Sequence, residues 1–311
     1  MSQSMSRAKL IRVLTKRVET IHSASYFAPA VDQELAQVGI THPGQAYLAS
    51  RAAPMGAVAA SVVTATFYNF NPTHVMRFVP DCWEIASPER IWQARLRGVE
   101  AMIESYFLGG DETDHSHLGP CAESICQALQ PALAAQLPDG RPLYAAHQEA
   151  LAAGVEAHNP AAQPFLNLWA TATLLREYRG DSHIAALVVS DLPGIQALAL
   201  HVATGTSFRP QAARKSRGWS DEQWQSAQES LRSRGLLTGT GDEALPTDAG
   251  YELREHIEQR TDDAVAVAFA GLADETLSDL SEAAKDLARV LVGAQAFPAQ
   301  MFAEGAGMRR S

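Results

Sequence analysis

Histidine, tyrosine and arginine recur in this chain at one-turn helical spacings, the residue types that move protons and hold anions. The densest case is "LLREYRGDSHIAALV", residues 174–188. At about 100° per residue, Trp169, Thr173, Arg176, Gly180, His183 and Leu187 share one face of a helix. On that face Arg176 could hold an anionic or carbonyl group, with His183 as acid, base or hydrogen-bond donor. Glu177 and Asp181 fall together on the adjacent face and are expected to orient the two arginines, Arg176 and Arg179. Gly180 costs roughly 1 kcal/mol in a helix interior, so it is expected to admit a close neighbour or to break the helix. The competing reading is a partly buried ion network joining two helices.

Three further constellations fit the same chemistry. Glu19, His22 and Tyr26 share a face of the first helix, which would leave the imidazole oriented between a carboxylate and a phenol. "RPLYAAH" places Tyr144 and His147 one turn apart. "LASRAAPMG" puts Arg51 just before a Pro-Met-Gly break, and Tyr68 and Asn69 then close a helix of small residues, Ala57, Ala59, Ala60, Ser61 and Ala65. Small residues suit close helix packing or leave room for a ligand. For each histidine the alternative is a core side chain satisfied locally. Together, three His/aromatic helices and two arginines could line one apolar pocket with a few polar points, the usual make-up of a small-molecule site.

Other chemistries find less support. "DETDHSH" offers His115 and His117, but HxH in a Gly-bounded loop reads as solvated, and no metal is expected. Haem ligation by helical histidines is conceivable, yet there is no CxxCH. No P-loop, GxGxxG, GxSxG or HExxH occurs, and nothing pairs Cys82 with a base. No cofactor is expected.

The elements that must position these residues are helices. "NPTHVMRF" and "SPERIWQARLRGVEAMIESYF" each open with a cap residue followed by proline. Ile91, Leu96, Val99, Met102 and Ile103 then recur near period 3.6. Helices are also expected around 120–136 and 142–153, and from near Phe165 to about Ser190. "LGGDETDHSHLGP", residues 108–120, reads as an exposed loop, and "GVEAHNPAAQP" as a linker.

Strand signals are scarce. In "GWSDEQWQSAQESLRS", Ser220 and Gln223 make a capping box, and Trp224, Ala227 and Leu231 form an apolar stripe. "RGLLTGTGDEALPTDAG" follows with a hairpin signature. Helix, R-G-L-L, hairpin and the helix "TDAGYELREHIEQRTD" is the order of a winged helix near residues 181–260. Leu231, Gly235, Leu236, Leu237, Leu245, Thr247, Gly250 and Leu253 resemble the wing region of MarR-type proteins. Pro246 is an extra residue there, and the charged R…D…R of such wings is missing. With "RAAPMG", "TATFYNFNP", "LWATATLLREYRGDSHIAAL" and "GWSDEQW", the whole chain resembles a family of actinobacterial helix-turn-helix proteins. That resemblance implies the fold and is nearly silent about function. "CWEIASPERIWQARLRG" (82–98) echoes residues 218–235, as a degenerate winged-helix duplication would.

A DNA-reading helix needs basic or amide side chains at its exposed N-terminal half, and lysines and arginines for phosphates. Here the helix opens with Asp221 and Glu222. Residues 210–260 carry seven Lys/Arg against nine Asp/Glu, a net of −2. Only Arg214, Lys215, Arg217, Arg232 and Arg234 form a basic patch. A winged helix kept as scaffold or dimerisation element is therefore preferred to operator binding.

Composition bounds the rest. Of 311 residues, 46% are hydrophobic and 19% charged, the balance of a folded protein, and a formal net charge of −10 disfavours nucleic acid and anionic membrane as partners. Three cysteines without a metal pattern are expected to be reduced thiols in a cytosol. The first residues lack the apolar core of a secretory signal, and "MGAVAASVVTATFYNF" is too broken to span a bilayer. The expectation is a cytoplasmic, mainly α protein, with a helical ligand-binding half (1–160) and a winged-helix half (161–311), open to homodimerisation. Its leading function is small-molecule binding as a sensor or sequestering protein. The alternatives are a cofactor-independent enzyme of secondary metabolism and a MarR-like DNA-binding regulator.

Overall fold

Prolines mark where many of the helices begin, because a pyrrolidine ring suits the first helical position, whose N–H has no partner inside the helix. A computed structural model describes residues 5–109, 116–304 and 306. In chain order the helices are α1 (Arg7–Ala24), α2 (Pro29–Gln37), α3 (Pro43–Ala52), α4 (Ala60–Phe67), α5 (Pro72–Met76), α6 (Asp81–Ile85), α7 (Pro88–Ile103) and α8 (Leu118–Ala134). They continue as α9 (Pro142–Leu151), α10 (Gln163–Val189), α11 (Gly194–Val202), α12 (Pro210–Arg217), α13 (Asp221–Ser233), α14 (Asp248–Ala266) and α15 (Asp274–Gly293). Among the described residues the only strands are β1 (Leu237–Thr238) and β2 (Leu245–Pro246), paired antiparallel with Leu237 opposite Pro246. The fold is mainly α, as expected.

The chain divides into two compact units, each built from separated stretches. Unit one comprises Met1–Ala57, Cys82–Ser182 and Asp262–Phe297, and unit two comprises Val58–Asp81, His183–Thr261 and Pro298–Ser311. The boundary expected near residue 160 lies inside unit one.

In unit one α15 packs along α1 and against α8, and α2 packs on α7. The C-terminal helix thus joins the N-terminal ones. The first half of α10 is apolar on nearly every side and is buried accordingly: Leu166, Leu168, Trp169, Ala172 and Leu175 all lie in the core. Gly98 lets α2 and α7 meet, since a Cβ there would sit 2.5 Å from the Val31 Cα. Gly98→Ala is expected to cost about 1–3 kcal/mol by overpacking. Urea denaturation checks this, and an unchanged midpoint would refute the close approach.

Unit two holds α11, α12 and α13 with the β1–β2 hairpin, and Leu198, Leu200, Trp224, Leu231, Leu237 and Ile257 share its core. Ser220 and Gln223 form the expected capping box at the start of α13. Gly218 ends α12 at φ 72°, a left-handed conformation that glycine adopts without strain. The segment before α5 lies on this turn. Asn71 Nδ2 donates to the Gly218 carbonyl at 2.9 Å and to Gln223 Oε1 at 3.0 Å, and Trp219 Nε1 donates to the Asn69 carbonyl at 2.8 Å.

Three expectations concern these elements. α10 runs unbroken through Gly180, and of the two readings of that glycine the close neighbour holds: the Arg176 Nη1 of the same helix lies 3.1 Å from where a Cβ would sit. Among the described residues no strand pair stands between α7 and α8, where a second winged helix would place its hairpin. The small-residue segment is not closely packed: Ala57, Ala59, Ser61 and Ala65 are exposed, and Val62 is 42% exposed.

Candidate functional site

Unit one contains a buried polar cluster where α1, α3, α7, α9 and α10 meet. α1 brings His22 and Tyr26. Their ring contact is edge-on, with centroids 5.1 Å apart, and His22 stacks on Trp169 of α10 at 5.7 Å. α3 brings Tyr47 and Arg51, one turn apart. α7 brings Trp92 and Arg95, and α9 brings His147, whose ring meets Trp92 edge-on at 5.7 Å. His22, Arg51, Arg95, His147, Trp169 and Glu177 are buried, whereas Tyr26, Tyr47 and Arg176 are half-buried and form the outer rim.

Glu177 is held by Arg51, whose Nη2 lies 2.9 and 2.8 Å from its two carboxylate oxygens. Arg51 Nη1 also donates to the Tyr47 hydroxyl at 3.1 Å. Burial opposes ionisation of both partners. The mutual attraction outweighs it, holding the Glu177 carboxyl well below its usual range and Arg51 above its own. Arg176 likewise overcomes burial through Tyr26, Glu19 and Glu177.

The hydrogen bonds fix the state of His22. Thr173 Oγ1 donates its single proton to the Trp169 carbonyl at 2.8 Å. His22 Nδ1, 2.8 Å from that Oγ1, must therefore be the donor, and Nε2 accepts from the Tyr26 hydroxyl at 2.6 Å. Burial, reinforced by Arg95, keeps the imidazole neutral by lowering its pKa well below the ordinary value. Burial also lifts the Tyr26 phenol to about 12 and lowers His147 to about 4. His147 Nδ1 donates to the Leu143 carbonyl at 2.8 Å, so Nε2 carries the lone pair.

Several buried polar atoms of the cluster have no hydrogen-bond partner among the described residues: Arg95 Nη2, Trp169 Nε1 and His147 Nε2, with Glu19 Oε1 nearby on α1. Arg95 is 1% exposed, and its Nη1 donates only to the Ser50 carbonyl, at 3.2 Å. Its guanidinium carbon stands 5.1 Å from the Trp169 ring centre and 5.6 Å from that of Trp92.

Of the residues singled out by spacing, His22, Tyr26, Arg51, His147, Trp169, Arg176 and Glu177 come together here. Some pairings differ from expectation. His22 bonds Thr173 in place of Glu19, because its Nδ1 points across to α10. Glu177 pairs with Arg51 and not with an arginine of its own helix, and Arg179 instead meets Asp262 at 3.5 Å. Asp181 accepts the Tyr144 backbone N–H at 2.9 Å, capping the start of α9. The Tyr144 hydroxyl is occupied by the Leu133 carbonyl and by Gln136 O at 3.2 Å. His183 belongs to unit two, with Nδ1 3.0 Å from Thr261 Oγ1. Tyr68 and Asn69 are also in unit two, where Tyr68 donates to the Leu192 carbonyl at 2.9 Å.

Arg95 was not singled out by spacing, although a signal existed: it falls at the step Trp92, Arg95, Val99, Met102, the apolar phase of α7. His115 lies outside the described residues. Among those described, no group of three or more His, Cys, Asp or Glu is placed to hold a metal, and no single helix is long and apolar enough to cross a membrane.

Of the basic patch on the winged helix, the four arginines are engaged internally and Lys215 is exposed. Arg214 pairs with Asp221 at 3.0 Å and with Asp242 at 2.6 Å. Arg217 stacks over Phe208 and Phe70. Arg232 donates to the Gly239 carbonyl, and Arg234 to the Asp191 carbonyl and Gln196. The outer face of α13 exposes Asp221, Glu222, Gln225 and Glu229.

Helices α11 to α13 with their hairpin give unit two the order of a winged helix, and unit one is a helical body around a buried polar cluster. The chain belongs to a helix-turn-helix family, whose model matches residues 11–298. No curated protein and no solved structure matches it.

Proposed function

We propose that the protein is a small-molecule-binding descendant of MarR-like winged-helix regulators, acting as a sensor or a sequestering protein, and that its ligand enters the buried cluster of unit one. The observation that carries this reading is the set of unmet hydrogen-bonding atoms, Arg95 Nη2, Trp169 Nε1 and His147 Nε2, gathered among aromatic rings. Buried polar atoms are nearly always satisfied, and their clustering at one place is what a bound polar molecule would correct. The half-buried rim of Tyr26, Tyr47 and Arg176 is the way in.

Two other readings are weaker. General acid–base catalysis works best with a group poised near neutral pH. His22 and His147 are pushed below that range and Tyr26 above it, while Asp181, lifted to about 7, is turned to the Tyr144 backbone N–H at the start of α9. Nucleic-acid binding needs free cations, whereas Arg214, Arg217, Arg232 and Arg234 are engaged within unit two.

A thermal-shift panel of aromatic acids, amides and amines on the full chain tests the proposal, followed by tryptophan fluorescence, to which Trp92 and Trp169 contribute. Acids are expected to raise the melting temperature and change the emission. No shift and no emission change with any member would end the binding reading.

A further inference from the structure

The cluster contains Arg51, Arg95 and Arg176, and the carboxylates nearby are not shared equally. Arg51 is committed to Glu177 through both oxygens. Arg176 is half-buried, and among the described residues Glu19 and Glu177 act on it without a direct contact. Among the described residues no carboxylate pairs with Arg95, which has a neutral carbonyl and aromatic faces for company. A buried guanidinium in that state is costly, because charge has left water without a counter-charge in contact. Trp169 Nε1–H is a second unused donor of the same cluster, on the residue whose ring Arg95 covers. His147 Nε2 is an unused acceptor in the same cluster, its ring in edge-on contact with Trp92.

We infer that the ligand is a flat monocarboxylate, its carboxylate taken by Arg95 and Trp169 Nε1–H and a neutral hydroxyl or N–H on the same molecule donated to His147 Nε2. This rests on the binding reading above and sharpens it to a chemical class. Arg95 supplies the counter-charge because, of the two buried arginines, Arg51 is already paired with Glu177 and Arg95 has no carboxylate in contact among the described residues. A carboxylate accepts from two convergent N–H donors at once, which a neutral amide oxygen does less strongly. Trp92, Trp169 and Tyr26 give the cluster flat aromatic faces, which favour an aryl partner over a branched one. His147 stays neutral at ordinary pH and so keeps its lone pair for a donor.

Calorimetric titration of the full chain with benzoate, 3-hydroxybenzoate, benzamide and phenol tests the inference. Benzoate is expected to bind at least about tenfold more tightly than benzamide, and 3-hydroxybenzoate more tightly than benzoate. Arg95→Met should abolish the preference for benzoate over benzamide while leaving phenol binding in place. Trp169→Phe keeps an aromatic face but removes the N–H and should shrink the same preference, so the test stands if Arg95→Met does not fold. Benzamide binding as tightly as benzoate, or a preference that survives in the folded variants, overturns the carboxylate assignment and leaves the binding reading intact. No heat with any of the four probes overturns the binding reading itself.

Discussion

Glu177→Gln is expected to destabilise the protein by about 3–5 kcal/mol, the range for removing one partner of a buried ion pair. The substitution preserves shape and volume, so packing changes little. What it removes is the counter-charge. Arg51 is 6% exposed and Glu177 1%, so the stranded guanidinium cannot recover its hydration. It would also be left near Arg95 and Arg176, whose charges Glu177 helps to balance. Urea denaturation at neutral pH measures the effect, and a loss below about 1 kcal/mol would show that water reaches the pair. The double variant Arg51→Met/Glu177→Leu should recover much of the loss, because replacing both charges removes the desolvation cost together with the attraction. Failure of the double variant to improve on Glu177→Gln would mean that the aromatic contacts of Arg51 with Tyr26 and Tyr47 matter more than its charge.

One helical turn further on, Asp181→Asn is expected to act in the opposite direction, stabilising the protein above neutral pH. Burial, with Glu177 nearby, outweighs the Tyr144 and Leu143 N–H groups and lifts the Asp181 pKa from 3.8 to about 7. A raised carboxyl pKa means that the folded state holds the proton more tightly than the unfolded one. The contribution to stability is full below pH 3.8 and is lost as the pH climbs through about 7. Across that window the loss is on the order of 4 kcal/mol. Asparagine keeps an oxygen for the Tyr144 N–H and has no proton to lose. Melting temperatures of the two proteins should therefore diverge between pH 4 and pH 8, with the variant higher at the alkaline end. Parallel curves would place Asp181 in contact with water. Glu177 follows the opposite sign: its lowered pKa gives stability that is present above the unfolded value and lost in acid.

That two carboxylates four residues apart on α10 behave so differently is not visible in their spacing. Helical phase placed Trp169, Thr173 and Arg176 on one face with Glu177 on the adjacent one, and it marked His22 and Tyr26 as a pair, which the 2.6 Å bond between them matches. It could not choose partners from other helices, because Arg51 is 126 positions from Glu177 and Thr173 is 151 from His22. Local reasoning therefore supplied near neighbours, Glu19 for His22 and Arg176 for Glu177, where the fold supplied distant ones. Arg95 was legible as a charge in the apolar phase of α7, but a single such residue is usually a long side chain reaching solvent. Only its burial makes it a candidate anchor.

The amino-acid sequence by itself determined the helical class, the proline-led starts of helices, the capping box at Ser220 and the hairpin after α13. These depend on contacts within a few residues, which periodicity and capping chemistry record directly. The tertiary structure decided which polar residues share a site, and it decided the composition of the two units. Residues 58–81 belong with 183–261, and the C-terminal helix with the first, because burial of apolar faces is indifferent to order along the chain. The same packing assigned His22 and His147 to the cluster and His183 to unit two, and it left Arg95 as the buried cation without a carboxylate in contact.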